Sequence, residues 1–171
     1  MEKVNEYYEK AMKARASKNT TESVKYLQKA IKRIGQFIKE DPKNPIYPFR
    51  RAEIYISIKA HKYAENDLLL TIRNDQNNTI PLFLLGNVYL ESKEFSMAIE
   101  AYDKFFILEE QHPSGQNHAE VYFNRAIARN GLGWYDEALM DLDTVSNLNS
   151  DYPKLVYCRE IIEKNKLSNS K

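Results

Sequence analysis

The sequence has little cysteine, glycine, proline or net charge, and each shortage narrows the class of protein. A single cysteine, Cys158, excludes a disulfide within the chain and favours a reducing compartment. Five glycines and six prolines among 171 residues favour regular elements joined by short turns. The net charge of +1 provides no global field that would attract nucleic acid or an anionic membrane.

Long hydrophobic runs are also lacking. No apolar run approaches the roughly 20 residues that cross a bilayer, and the first residues, MEKVNEYYEK, lack the apolar region of a signal peptide. We therefore expect a cytoplasmic protein whose partners include no nucleic acid and no membrane. A mature secreted protein without its signal would have the same composition.

The clearest pattern in the chain is helical periodicity across Leu82–Leu108. Apolar and small residues there share one helix face in each of two successive runs, namely Leu82, Leu85, Gly86 and Tyr89, then Phe95, Ala98, Tyr102 and Phe105. A short polar break at 93–94 separates the runs. The pattern predicts two helices packed back to back, with Gly86 and Ala98 at their closest approach.

The same spacing of small and large residues occurs four times along the chain. Gly86 has small equivalents at Ala11, Ala52 and Ala126, so that the successive spacings are 41, 34 and 40 residues. Large residues follow each small one by sixteen positions, at Leu27, Leu68, Tyr102 and Leu142. The register predicts helical hairpins at 3–41, 45–75, 79–110 and 118–149, followed by a single helix at 152–166.

This organisation resembles the tetratricopeptide repeat (TPR) family, whose unit is a 34-residue helix–turn–helix. The match is best in 122–148, YFNRAIARNGLGWYDEALMDLDTVSNL, and in the stretch around Gly86. The second hairpin departs from the family pattern, with Pro48 and His61 where the family has a bulky anchor and an aromatic residue. The resemblance implies an all-α fold, a right-handed α-solenoid of four TPR-like helical hairpins plus a C-terminal capping helix, in one domain spanning 1–171.

The second helix of the first hairpin is predicted to be longer than the family unit. Asn19 and Glu22 form a capping-box pattern at its start, and the helix runs to about Glu40. Its extension carries an apolar stripe made of Ile31, Ile34, Phe37 and Ile38. Either the start of the third helix, through Ile46 and Phe49, or the same stripe of a second molecule would cover it. We favour the cover within the chain.

The last helix is predicted to cover the fourth hairpin. Leu155, Cys158, Ile161 and Ile162 form its apolar face, and charged residues face water. The segment 111–118 is predicted to be a loop, and 165–171 to be a frayed end.

Catalytic and metal-binding motifs are missing from the sequence. It contains no glycine-rich phosphate loop, no paired-cysteine motif and no HExxH. His112 and His118 lie near Glu109, but their spacing is not a recognised ligand pattern, and we expect solvated histidines. We expect no enzyme activity, no cofactor and no metal, and we interpret Cys158 as an inert, partly buried thiol.

Three aspartates on second helices carry no recognised motif. Asp67, Asp103 and Asp141 are expected to face solvent.

The first helices of the hairpins are expected to form the binding surface, because first helices line the concave face of such repeats. The predicted groove residues are Tyr8, Met12, Phe49, Arg50, Glu53, Phe83, Leu84, Asn87, Leu90, Phe123, Asn124 and Ile127. An aromatic ladder with aliphatic neighbours and amides suits an apolar peptide or amphipathic helix of a partner protein. The alternative is that the aromatic rings pack between adjacent repeats.

Some TPR proteins bind a chaperone's C-terminal carboxylate with two lysines, two asparagines and an arginine. Asn87 and Asn124 match the asparagines, and Lys154 matches one lysine if the last helix keeps the register. Phe83 and Cys158 occupy the places of the other lysine and of the arginine. A site with so little charge should hold a carboxylate poorly.

The predicted function is therefore a protein–protein interaction scaffold or adaptor, present as a monomer or weak homodimer. A self-associating structural subunit is the alternative. An RNA-binding helical repeat is disfavoured by the neutral charge and the apolar groove.

Overall fold

The computed structural model describes residues 1–113 and 118–169. These residues form nine α-helices and no β-strand. In chain order the helices are α1 (Glu2–Ala16), α2 (Thr20–Glu40), α3 (Ile46–Ser57), α4 (His61–Asn74), α5 (Ile80–Glu91), α6 (Phe95–Gln111), α7 (Ala119–Gly131), α8 (Tyr135–Leu148) and α9 (Leu155–Asn169). The prediction of an all-α protein made of four helical hairpins and one further helix is confirmed.

The helices form two compact units. Unit 1 spans Met1–Gln76 and contains α1 to α4, whereas unit 2 spans Asn77–Lys171 and contains α5 to α9. Each helix packs mainly on the other member of its hairpin, and hairpins within a unit pack through neighbouring helices such as α2 with α3 and α6 with α7. The single domain expected from the sequence stays a prediction.

Every hairpin turn contains a residue in the left-handed conformation, seven positions after the small residue. Its φ is 59° at Lys18, 57° at Lys59, 60° at Lys93 and 78° at Gly133. The amide that follows it donates back to a carbonyl five residues earlier, as from Asn19 to the Ala14 oxygen at 2.8 Å. This is the hydrogen bond of a Schellman motif, which closes the first helix of each hairpin.

The small residues allow the two helices of a hairpin to approach closely, as expected. A Cβ at Gly86 would lie 2.3 Å from Tyr102 Cε1, so only glycine fits beside this fully buried ring. Ala11, Ala52 and Ala126 are likewise fully buried in their hairpins.

In unit 1, the apolar extension of α2 is covered from within the chain. Ile34 is fully buried, and the Phe37 ring stacks on the Tyr47 ring at 5.2 Å between centroids. Ile54 of α3 completes this core. The prediction that the start of α3 covers the stripe is confirmed, but the covering residues are not the predicted ones. Ile46 is 55% exposed at the start of α3, and Phe49 is only half-buried.

Two of the three aspartates expected in solvent are buried, and that prediction is wrong for them. Asp67 accepts two hydrogen bonds of 2.7 Å from Arg51. Asp141 accepts bonds of 2.7 and 3.0 Å from Arg125. In both hairpins an arginine of the first helix reaches across to the carboxylate of the second, and the bidentate geometry compensates for its desolvation. Asp103 stays partly exposed and accepts from Arg125 at 2.6 Å.

In unit 2, α9 covers the fourth hairpin. Leu155 and Ile162 are buried in a core with Leu142 of α8, while Cys158 is only half-buried. Ile161 is 37% exposed, so its prediction as a core residue is wrong.

The predicted loop and the predicted frayed end are only partly described. Helix α9 continues to Asn169 instead of fraying from residue 165. Residues 114–117 and 170–171 lie outside the described residues.

Candidate functional site

In unit 1, three of the predicted groove residues surround one small pocket. Tyr8 of α1 meets Arg50 and Glu53 of α3 around a volume of about 120 Å³. Buried Val4 and Ile54 contribute apolar surface to its lining. Arg50 and Glu53 form an ion pair with a 3.0 Å distance between Nη1 and Oε2. The pocket has the size of one medium side chain and a charged rim.

The two other groove residues predicted in unit 1 are less accessible to a partner. Met12 packs against the core of the unit, and Phe49 is half-buried. Neither lines the small pocket.

In unit 2, the two predicted asparagines are joined by a hydrogen bond. Asn87 Oδ1 accepts from Asn124 Nδ2 at 2.9 Å and from the Tyr102 hydroxyl at 2.7 Å. Burial raises the pKa of Tyr102, so its phenol stays protonated and remains a donor. These bonds fix the orientation of both amides, and we call Asn87 and Asn124 the amide pair.

The amide pair retains hydrogen-bonding capacity. Within residues 1–113 and 118–169, no other group bonds to Asn87 Nδ2 or to Asn124 Oδ1. One donor and one acceptor are therefore available to a ligand. The sequence identified both asparagines, but it did not reveal that Tyr102 orients them.

A second amide bridge, which the sequence analysis missed, joins α7 to α9. Asn165 Nδ2 donates to Asn130 Oδ1 at 3.1 Å. Side-chain amides thus connect the first helices α5 and α7 of unit 2, and they also connect α7 to the last helix, α9. We call the surface that carries these bridges the first-helix face of unit 2.

The apolar groove residues of unit 2 differ in how much of each side chain is exposed to a partner. The half-buried ones are Phe83, Leu84, Leu90 and Ile127. Phe123 is only 8% exposed, because the Tyr152 ring covers it at 4.9 Å between centroids. Phe123 therefore does not offer its ring to a partner, and for this residue the alternative of packing within the repeat array is correct.

His118 is held in place rather than solvated, which corrects the expectation for that residue. Its Nε2 lies 3.0 Å from Glu109 Oε2, and its ring contacts Phe105 edge-on at 5.0 Å. Thr79 donates to the other oxygen of Glu109 at 2.8 Å. Among the described residues no group of three or more His, Cys, Asp or Glu side chains is placed to hold a metal ion.

Two further observations concern the cysteine and the helices. Burial raises the pKa of the Cys158 thiol, which disfavours the reactive thiolate. In the part of the chain that the structure describes, no helix is both long and apolar enough to span a membrane.

Comparison with known proteins was made by family model, by sequence and by structure. Residues 81–112 match the tetratricopeptide repeat model. No curated protein matches the sequence.

Solved structures match most of the chain. MamA 41-end from Desulfovibrio magneticus RS-1 has a TM-score of 0.73 at 10% identity, covering 99% of this chain and 90% of its own. YrrB, described as a TPR protein with an unusual peptide-binding site, has a TM-score of 0.72 at 18% identity, covering 94% and 76%. The first TPR of Spaghetti (RPAP3), solved with the HSP90 peptide SRMEEVD, has a TM-score of 0.63 at 17% identity, covering 72% and 94%.

At these identities the structural likeness shows the fold, an all-α helical-repeat solenoid. The family match adds a sequence signature in the third hairpin, where the periodicity was clearest. Taken together, the repeat match at 81–112 and the shared fold support the resemblance to the tetratricopeptide repeat family, whose sequence signature this chain carries at residues 81–112.

Proposed function

We propose that this chain is a non-catalytic protein-interaction module, acting in the cytoplasm as a monomer or weak homodimer. It binds a peptide or helical segment of a partner protein through the first helices of its hairpins. The observation that carries the proposal is the oriented amide pair, Asn87 and Asn124, with one donor and one acceptor left for a ligand.

The amide pair matches the chemistry of a peptide backbone. A peptide group offers one carbonyl acceptor and one N–H donor, which complement Asn87 Nδ2 and Asn124 Oδ1. Because Tyr102 already fixes the amides, little side-chain freedom is lost on binding. Leu90 and Ile127, both half-buried on the same helices, add apolar contact beside the polar groups.

A chaperone-tail receptor is a less favourable function for this site. The RPAP3 domain was solved with the acidic HSP90 peptide SRMEEVD. Here Phe83 and Cys158 stand where the family's carboxylate clamp needs a lysine and an arginine. We therefore propose that partner binding depends on backbone and apolar contacts rather than on a terminal carboxylate.

Peptide selection followed by calorimetry tests this function. The immobilised chain is used to select from a displayed library of random twelve-residue peptides, and enriched peptides are synthesised with amidated C-termini. We expect dissociation constants of roughly micromolar size, because such interfaces are small. Replacing both Asn87 and Asn124 by alanine should weaken binding about tenfold, because two hydrogen bonds of about 0.5–1.5 kcal/mol each are lost.

Asn147→Ala is the matched control, because it removes an exposed amide from α8, a second helix of the same unit. Circular dichroism confirms that each variant is folded. The proposal is wrong if no peptide is enriched, or if the control weakens binding as much as the double variant does.

A further inference from the structure

The two compact units carry opposite net charges, although the chain as a whole is nearly neutral. Residues 1–76 contain sixteen Lys and Arg against ten Asp and Glu, which gives unit 1 a net charge of +6. Residues 77–171 contain nine Lys and Arg against fourteen Asp and Glu, which gives unit 2 a net charge of −5. Unit 1 of one molecule therefore attracts unit 2 of another molecule.

In unit 1, exposed positive charge is concentrated on α2. No acidic residue occurs at 23–39, which is most of this helix. Helix positions separated by four, three and four residues lie on one face, and in α2 such a series spans about 16 Å. We call it the lysine row, and its members, all exposed, are Lys25, Lys29, Lys32 and Gln36.

The ammonium groups of the lysine row have no carboxylate partner within the described part of the chain. Lys29 Nζ lies 5.8 Å and 5.5 Å from the ring centroids of Tyr7 and Tyr26, which neutralise no charge. Glu6 of the neighbouring helix α1 is already paired with Lys10 at 2.6 Å. The row therefore retains its positive charge.

In unit 2, α9 presents an exposed row with the same spacing of four, three and four residues. We call it the glutamate row, and its members are Val156, Glu160, Glu163 and Leu167. The two apolar members are each 69% exposed. Neither glutamate forms an ion pair with any residue that the structure describes.

The other charges of α9 do not cancel the glutamate row. Arg159 is paired with Asp143 at 2.5 Å, and Lys166 is paired with Asp136. Lys164 lies beside the row and is exposed. Because two glutamates stand against this one lysine, the exposed face of α9 keeps a negative charge.

We propose that two copies of this chain associate, with the lysine row of one molecule on the glutamate row of the other. Lys29 and Lys32 are three residues apart, as are Glu160 and Glu163, so both central pairs meet at once. The spacing of four, three and four is the same in either direction along a helix. The rows therefore match whether the two helices run parallel or antiparallel.

The outer members of the two rows also fit each other. Lys25 and Gln36 lie opposite Val156 and Leu167, so their aliphatic stems cover apolar side chains while their polar ends stay in water. A contact of two helix faces is small, and we expect the association to be weak and salt-dependent. It uses neither the first-helix face of unit 2 nor the small pocket of unit 1, so it is independent of the proposed peptide binding.

Sedimentation velocity with charge-reversed variants tests the contact. At about 50 mM salt the mean sedimentation coefficient of the wild type should rise with protein concentration, and at about 500 mM salt it should not. Reversal of the lysine row, and separately of the glutamate row, should weaken self-association roughly tenfold or more, because like charges then face each other. The two variants are Lys25→Glu with Lys29→Glu and Lys32→Glu, and Glu160→Lys with Glu163→Lys.

An equimolar mixture of the two variants gives the sharpest result. The reversed row of each variant is complementary to a row of the other variant, so the mixture should associate as the wild type does although neither variant associates alone. Two control variants make the same charge changes at exposed positions outside the rows, and each should still associate alone. They are Lys3→Glu with Lys13→Glu and Lys43→Glu in unit 1, and Glu110→Lys with Asp151→Lys in unit 2.

Circular dichroism checks that every variant is helical. A wild type that stays monomeric at about 50 mM salt, or controls that lose association as the row variants do, would overturn the inference. A monomeric wild type that binds a labelled oligonucleotide through the lysine row would overturn it in favour of a nucleic-acid contact. Peptide binding, measured by calorimetry, should be unchanged in the row variants, so failure of self-association leaves the proposed function standing.

Discussion

At the scale of single residues, each hairpin requires one residue with a left-handed backbone. Gly133 adopts this conformation without a steric penalty, but Lys18, Lys59 and Lys93 adopt it with a side chain present. The contact of Cβ with the following carbonyl oxygen makes this unfavourable for any residue but glycine. The lysines are therefore positions where the fold is not optimised for stability.

We predict that Lys59→Gly raises the free energy of unfolding by about 1 kcal/mol, because it removes the left-handed penalty at that turn. Urea unfolding measures the change. Lys25→Gly, at an exposed position inside α2, is the control and should lower the same free energy by about 1 kcal/mol. A loss of stability in both variants would contradict the account of the turns.

The sequence predicted the small residues of the hairpins, but it did not predict the buried carboxylates. Asp67 and Asp141 are polar residues on second helices, and composition alone places them on the surface. The missed signal is an arginine sixteen residues earlier in each case, Arg51 and Arg125, on the facing helix of the same hairpin. Only the antiparallel pairing of those helices brings the charges together.

At the scale of elements, α2 and α9 depart most from a regular repeat. The sequence predicted that α2 is extended and covered by α3, but it placed the contact on Ile46 instead of Tyr47. Because α3 begins at Ile46, its first turn directs Tyr47 towards Phe37 and leaves Ile46 exposed. Successive residues of a helix point in directions 100° apart, so an error of one residue in the predicted start moves the contact to another side of the helix. Periodicity alone does not locate the residue at which a helix starts.

We predict that Phe37→Glu lowers the free energy of unfolding by about 1–3 kcal/mol, because it replaces the ring packed on Tyr47 by a charged side chain, which the Arg33 guanidinium, 4.6 Å from that ring, compensates only in part. Ile46→Glu adds the same charge at an exposed position nearby and should change that free energy by less than about 0.5 kcal/mol. Light scattering should show one oligomeric state for wild type and both variants. If Phe37→Glu instead converts a dimer into a stable monomer, the stripe is a contact between molecules.

At the scale of the whole molecule, a repeat register predicts the fold well and the ligand poorly. Four hairpins could be located from small residues and their spacing, because close helix packing constrains those positions in every repeat. The binding chemistry depends on residues that differ between repeats. Asn87 and Asn124 acquire a role only when their amides meet.

We predict that units 1 and 2 unfold together, as expected for the single domain proposed from the sequence, because hairpins in a repeat array stabilise their neighbours. Differential scanning calorimetry should give one transition with equal calorimetric and van't Hoff enthalpies. Phe37→Glu should lower the temperature of that whole transition although it lies in unit 1. Two separable transitions would show instead that the units are independent domains.

The central claim, that the first helices bind a partner segment through oriented amides, is tested most directly by nuclear magnetic resonance. An enriched peptide is titrated into the isotope-labelled chain, and the side-chain amide signals of Asn87 and Asn124 are followed. We predict that these signals shift with the peptide concentration. Shifts confined to the second helices α6 and α8, with the Asn87 and Asn124 signals unchanged at saturation, would contradict the account.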